Sequence, residues 1–152
     1  MLTTDPDEIN KIDWMLKKTN NGVFTFYRDL IALRKAHPAF RMKTAQAVRD
    51  NLRFYEDLGL PVSAPNIAYV LKGAEAGDSW DRIVVLINPQ KTAQKFALPT
   101  GGSRSAEQYN SSLTPVSGDG YEKALDESGA CAGGRKFSDF IEVPALSMTV
   151  LH

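Results

Sequence analysis

Cysteine occurs once in the 152 residues, as Cys131, so the chain forms no internal disulfide and holds no cysteine-rich metal site. A lone thiol leaves the redox compartment undecided, and Cys131 reads as a bystander in a loop. Histidine occurs only as His37 and His152, and no Ser/His/Asp arrangement, metal-ligand spacing or phosphate-binding loop accompanies either. Long apolar runs are missing: none approaches the roughly 20 residues of a transmembrane helix, which predicts no membrane span. The opening residues are acidic and polar where a signal peptide would be basic and then apolar, so the compartment stays unassigned. An excess of charge is missing too, because 18 Lys and Arg face 18 Asp and Glu. That balance recruits neither nucleic acid nor an anionic membrane, and it leaves neutral glycans compatible.

What the chain does have is enough apolar material, 43% of its residues, to fill a core. Its length suits one ordinary domain, or a smaller domain with a piece of another attached. The most legible stretch is Val23 to Phe40, VFTFYRDLIALRKAHPAF. At about 100° per residue Val23, Phe24, Phe26, Tyr27, Leu30, Ile31 and Leu33 gather into an apolar arc of roughly 180°, while Thr25, Arg28, Asp29, Ala32 and Lys35 lie opposite. Asn20, Asn21 and Gly22 supply turn chemistry before it, and Pro38 disfavours helix at His37, so a helix ending near Ala36 is predicted. An arc this wide predicts two packing partners. Arg34 falls near its middle, either as a cation snorkelling from the last turn or as an ion pair pinning the helix to a second element.

The rest follows a different grammar. Residues 3–14 read as a loop with one helical turn, and Thr44 is an N-cap for a short helix to Asn51. From Leu52 onward the pattern predicts strands at Leu52–Tyr55, Ile67–Lys72, Ile83–Ile87, Lys95–Leu98 and Glu142–Leu151. IVVLI is a continuous apolar run and should be buried on both faces. Gly73–Trp80 is a hairpin loop and Asn88-Pro89 a stop. Between Pro99 and Ser138 the reading is long loops with one or two short edge strands, Gln108–Asn110 among them. The fold class that results is mainly β: an antiparallel β-sandwich over 51–152, preceded by a helical segment over 1–50.

Candidate chemistry is thin. Asp5, Asp7, Glu8 and Asp13 could be paired carboxylates of the kind that cleave glycosides, a calcium loop, or simply a solvated acidic loop. His37, on the apolar side beside a proline, reads as a packed or capping histidine. Trp14, Trp80 and Tyr109 could stack on sugar rings or serve core and hinge packing.

Taken in order, PDEINKIDW, FTFYRDLIALRKAHPAFRM, LRFYE, NIAYVLKG, GDSWDRIVVLINP and VPALSMTVLH resemble the C-terminal end of type I pullulanases, debranching glycoside hydrolases of the α-amylase superfamily. The resemblance covers nearly the whole chain, with 101–136 as its main departure. It implies that residues 1–50 are the end of a catalytic (β/α)8 barrel, loop plus last helix, and that 51–152 are the C-terminal β-sandwich. It implies further that the catalytic carboxylates lie on earlier barrel strands, leaving no catalytic residue and no activity in this chain alone. Asp7, Asn10, Asp13 and Trp14 match the loop near the substrate cleft and would be rim contacts for an α-glucan, while Tyr27, Leu30 and Arg34 would pack between domains. No cofactor or metal is implied for this chain; calcium in a parent enzyme would have no site assigned here. The implied partners are the rest of the barrel and an α-glucan, with either a homodimer through the exposed helix or the helix folded back onto the sandwich as a further expectation. A stand-alone glycan-binding sandwich or an oligomerisation module is the alternative.

Overall fold

The computed structural model describes residues 11–99, 121–131 and 136–152. Three helices open the described chain: α1 (Leu16–Thr19), α2 (Asn21–Ala36) and α3 (Ala45–Asn51). α2 ends where the sequence predicts, because His37 turns to an extended conformation ahead of Pro38, which starts a single 3-10 turn over Pro38–Arg41. Thr44 caps α3 by accepting a hydrogen bond from the Ala47 amide at 3.1 Å. The helical turn expected within 3–14 falls mostly outside the described residues; Lys11 to Asp13 carry no regular secondary structure, and α1 begins at Leu16.

Nine strands follow among the described residues: β1 (Leu52–Phe54), β2 (Ile67–Lys72), β3 (Arg82–Asn88), β4 (Gln94–Ala97), β5 (Tyr121–Asp126), β6 (Gly129–Ala130), β7 (Lys136–Phe137), β8 (Phe140–Val143) and β9 (Ser147–Leu151). The larger sheet runs β1-β2-β3-β9-β5-β6, with β7 also paired to β5, and β4 and β8 form a second sheet; all pairs are antiparallel. The result is the predicted antiparallel sandwich with a helix before it.

The run IVVLI shows how the layers close. Val84 and Leu86 point between the sheets, where Tyr55, Leu58, Phe96, Leu98, Ile141, Val143 and Leu151 meet them. Ile83 and Val85 point the other way, onto Phe26, Leu30 and Leu33 of α2. All four are at most 1% exposed, so β3 is buried on both faces. Each such side chain contributes about 1.5–3 kcal/mol relative to exposure. The molecule is therefore three layers deep: helix, large sheet, small sheet.

Two strand expectations are corrected. Glu142–Leu151 is not one strand: Pro144 to Leu146 form a turn, with Leu146 at φ 51, and the halves belong to different sheets. The zone read as loops contains β5, an inner strand between β9 and β6. Its register slips against β9, Lys123 facing Leu151 but Leu125 facing Val150. This bulge sends Tyr121 into the inter-sheet core and Leu125, four residues on, to the helix side. The strand lost its period-2 signature to that bulge. Gln108–Asn110 lies outside the described residues.

Candidate functional site

The feature that stands out is how α2 sits on the sheet. It docks by one flank of its apolar arc, through Phe26, Leu30 and Leu33, against Ile83, Val85, Leu125 and Val150. The polar flank beside it also makes contact: Asp29 Oδ2 accepts from the Ala130 amide at 3.3 Å, and Asp29 Oδ1 bonds Arg28 Nε at 3.0 Å. The Arg28 bond, then the Ala130 amide, hold the Asp29 carboxyl below its ordinary value against a small opposing effect of burial. Gly129 permits the approach. It sits at φ +108, and a Cβ there would fall 2.8 Å from Asp29 Oδ2.

The other flank of the arc is open. Val23, Phe24, Tyr27 and Ile31 are 40–61% exposed, and Ile12, Trp14, Met15 and Leu16, just upstream, are 53–74% exposed. Lys17 Nζ lies 4.2 Å above the Phe24 ring. This is a run of large apolar side chains of the kind that marks an interaction surface. Arg34 lies on this flank, exposed, and makes no ion pair among the described residues. Of the three residues expected between domains, Leu30 is half-buried on the sandwich, whereas Tyr27 and Arg34 face away from it. Beside the start of α2 opens a groove of about 560 Å³, lined by Val23, Phe26, Ile87, Pro89, Leu146 and Met148 among others.

The other end of α2 is fastened by a polar cluster that sequence reading found only in part. His37 Nδ1 donates to Asp78 Oδ1 at 2.7 Å, Asp78 Oδ1 also accepts from the Trp80 amide at 3.1 Å, and Asp78 Oδ2 accepts from the Ala39 amide at 3.1 Å. Burial alone would raise the Asp78 carboxyl; the bonds from His37 and the two amides outweigh it, and the net is a lowered pKa. His37 is thus packed, as expected. Asp78 was missed because an aspartate in a Gly-Asp-Ser loop carries the signature of any turn. Gly73 closes the same loop, since a Cβ there would meet the Trp80 carbonyl oxygen at 1.9 Å.

Asp13 Oδ1 accepts from the Met15 amide at 2.9 Å, and Trp14 beside it is exposed. Neither borders the groove. Asp5, Asp7, Glu8 and Asn10 lie outside the described residues. Cys131 follows β6, half-buried, with its thiol 3.8 Å from the Gly129 carbonyl; burial first, then Asp126, raises the thiol pKa. Among the described residues no group of three or more His, Cys, Asp or Glu could hold a metal, and no helix is long and apolar enough to cross a membrane.

Two packed antiparallel sheets, with a helix fastened to the outer face of the larger one and half of that helix's apolar arc left uncovered, define a β-sandwich domain with a helical leader. The chain belongs to the family of α-1,6-glucosidases, pullulanase-type, C-terminal, whose model matches residues 16–152. It is 33% identical over 93 residues to the pullulanase of Bacillus subtilis (strain 168), a match covering 61% of this chain and 12% of that protein. The pullulanase from Bacillus acidopullulyticus superposes with a TM-score of 0.74 at 31% identity, over 95% of this chain and 15% of that one. Pullulanase type I from B. subtilis str. 168, solved with maltose, gives a TM-score of 0.74 at 26% identity, over 97% of this chain and 18% of that one. The chain thus spans less than a fifth of the length of these relatives.

Proposed function

We propose that this chain is the C-terminal portion of a pullulanase-like enzyme that hydrolyses α-1,6-glucosidic branch linkages in pullulan, starch or glycogen, and that its own part is structural. In this reading residues 1–50 are the last loop and helix of a (β/α)8 barrel and 51–152 the sandwich that braces it. The observation that carries the proposal is the divided arc of α2. One flank is buried on the sandwich, and the other presents Val23, Phe24, Tyr27 and Ile31 to solvent. Apolar surface of that extent is stabilised by a cover, and the missing barrel strands and neighbouring helix are its natural occupants. Arg34, amid this open flank, would be desolvated by the barrel and would need a carboxylate opposite it.

Catalysis by retention requires two carboxylates held about 5–5.5 Å apart across one glycosidic bond. The described residues bring no such pair to a cleft. In this reading the chain alone is inactive, and its incubation with pullulan should release no reducing ends; measurable release would overturn the reading. Asp7, Asn10, Asp13 and Trp14 would touch an α-glucan only as the rim of a complete cleft. Titration of the isolated chain with maltotriose should accordingly leave the emission of exposed Trp14 unchanged. Saturable binding would favour a self-sufficient glycan-binding module instead.

A further inference from the structure

The charges on α1 and α2 are one-sided. From Leu16 to Ala36 the chain carries Lys17, Lys18, Arg28, Arg34 and Lys35 against a single acid, Asp29. Asp29 is turned to the sheet, where its side chain is 16% exposed and holds the Ala130 amide and Arg28. Asp13, the nearest described acid upstream, caps the Met15 amide. Lys17, Lys18, Arg34 and Lys35 form no ion pair among the described residues. Their places matter as much as their number. At about 100° per residue Arg34 falls between Val23 and Tyr27, and Lys35 falls beside Phe24 on the outer border. Lys17 reaches over the Phe24 ring at the N-terminal end. Cations therefore thread and edge the open apolar ridge, while Phe26, Leu30 and Leu33 dock on the sheet with only Asp29 beside them.

We propose that the open flank of α2 docks an acidic protein surface, an apolar groove edged by carboxylates, one of which meets Arg34 inside the contact. This partner chemistry rests on the reading of α2 as shared between two cores, and it specifies the second core. Covering Val23, Tyr27 and Ile31 takes the Arg34 guanidinium out of water with them, a step that is favourable only where a carboxylate answers it. Lys17 and Lys35, at the rim, steer an acidic surface into place and repel a basic one. Two other covers fit less well. A second copy related by a two-fold axis brings the same cations together, so it covers the ridge only against their repulsion. A lipid surface suits a helix whose cations lie along the polar face, whereas Arg34 lies within the ridge and would be carried toward the acyl chains.

The test titrates the 152-residue chain into two dye-labelled helical peptides of α2's length, read by fluorescence anisotropy. Both peptides carry one leucine ridge, bordered in one by glutamate and in the other by lysine. The glutamate peptide should bind at least about tenfold tighter in about 0.01 M salt, and the gap should narrow toward about 0.1 M as the Debye length falls from about 30 to about 10 Å. Arg34→Glu together with Lys35→Glu, both at exposed positions, should reverse the preference, with circular dichroism showing the fold retained. Over the same salt range self-association of the unsubstituted chain should strengthen, because screening relieves the like charges of a two-fold contact. Equal binding of the two peptides, or a preference unmoved by the substitutions, overturns the acidic partner and leaves a purely apolar seam standing. Binding of neither peptide, self-association weakened by salt, or flotation of the chain with phosphatidylglycerol vesicles also overturns it, while the reading of the chain as the end of a pullulanase-like enzyme is judged separately by the release of reducing ends.

Discussion

At the residue scale the fold depends on a few polar groups placed where apolar ones would be expected. Asn88, 1% exposed at the end of β3, donates its side-chain amide to the carbonyls of Thr92, Val143 and Pro144 at 2.7–3.1 Å, and its own carbonyl accepts from the Gln90 amide at 2.9 Å. One side chain thus joins the large sheet to the end of β8. Asn88→Ala would strand several buried carbonyls and should cost about 2–3 kcal/mol, read from urea unfolding. Tyr55 presents the opposite case. Its ring fills the inter-sheet core while its hydroxyl has no hydrogen-bond partner among the described residues, and burial pushes the phenol well above its usual pKa. Tyr55→Phe removes that unmet group without opening a cavity and should raise stability by up to about 1 kcal/mol. Asp126 is held down to about 2: burial pulls the other way, and the Ser128 hydroxyl and amide together with Lys123 prevail. A carboxyl with a depressed folded pKa stabilises above its unfolded value and stops doing so as pH falls through the folded one. Thermal stability should therefore drop between about pH 4 and pH 2, and Asp126→Asn should flatten that part of the profile.

At the scale of elements, α2 and β5 mark what a sequence reveals and what it hides. α2 was legible because its 3.6-residue period and its proline stop are local facts, and β3 because five apolar residues in a row need cover on both sides. β5 was not, since YEKALD, with Tyr121, Ala124 and Leu125 at helical spacing, becomes a strand only through a bulge dictated by its neighbour β9. The orientation of α2 was hidden for a similar reason. The wheel gives the whole apolar arc but not the flank that reaches the sheet, which in the structure is the one beside the contact from Asp29 to the Ala130 amide. Two substitutions separate the flanks. Leu30→Ala, half-buried on the sheet, should cost about 1–2 kcal/mol, less than the roughly 2–5 of a fully buried leucine. Tyr27→Ala, on the open flank, should stay within about 0.5 kcal/mol in the isolated chain. Chemical denaturation of the two variants side by side checks both.

For the whole molecule, the decisive quantity is the surface left uncovered. Trp14, Leu16, Val23, Tyr27 and Ile31 face water together, and with no barrel present the available cover is a second copy. The purified chain should self-associate through this face, and sedimentation velocity should show the sedimentation coefficient rising with concentration. Replacing Tyr27 and Ile31 by serine should return a monomer. The candidate site itself was legible as far as its residues, since the arc and Arg34 are visible in the sequence. Which half would be covered depends on contacts with Leu125 and Ala130, residues about a hundred positions away, in a zone whose pattern gave no guide.

A helix that contributes one flank to each of two cores removes the hinge that usually separates neighbouring domains. In the parent enzyme inferred above, neither core could open without stripping half of the other's packing. Barrel and sandwich would then melt as one cooperative unit, a single calorimetric peak with an enthalpy set by their combined size. Substitutions in the sandwich core, far from any glycan, would shift that peak as a whole and lower the temperature at which the distant active site fails.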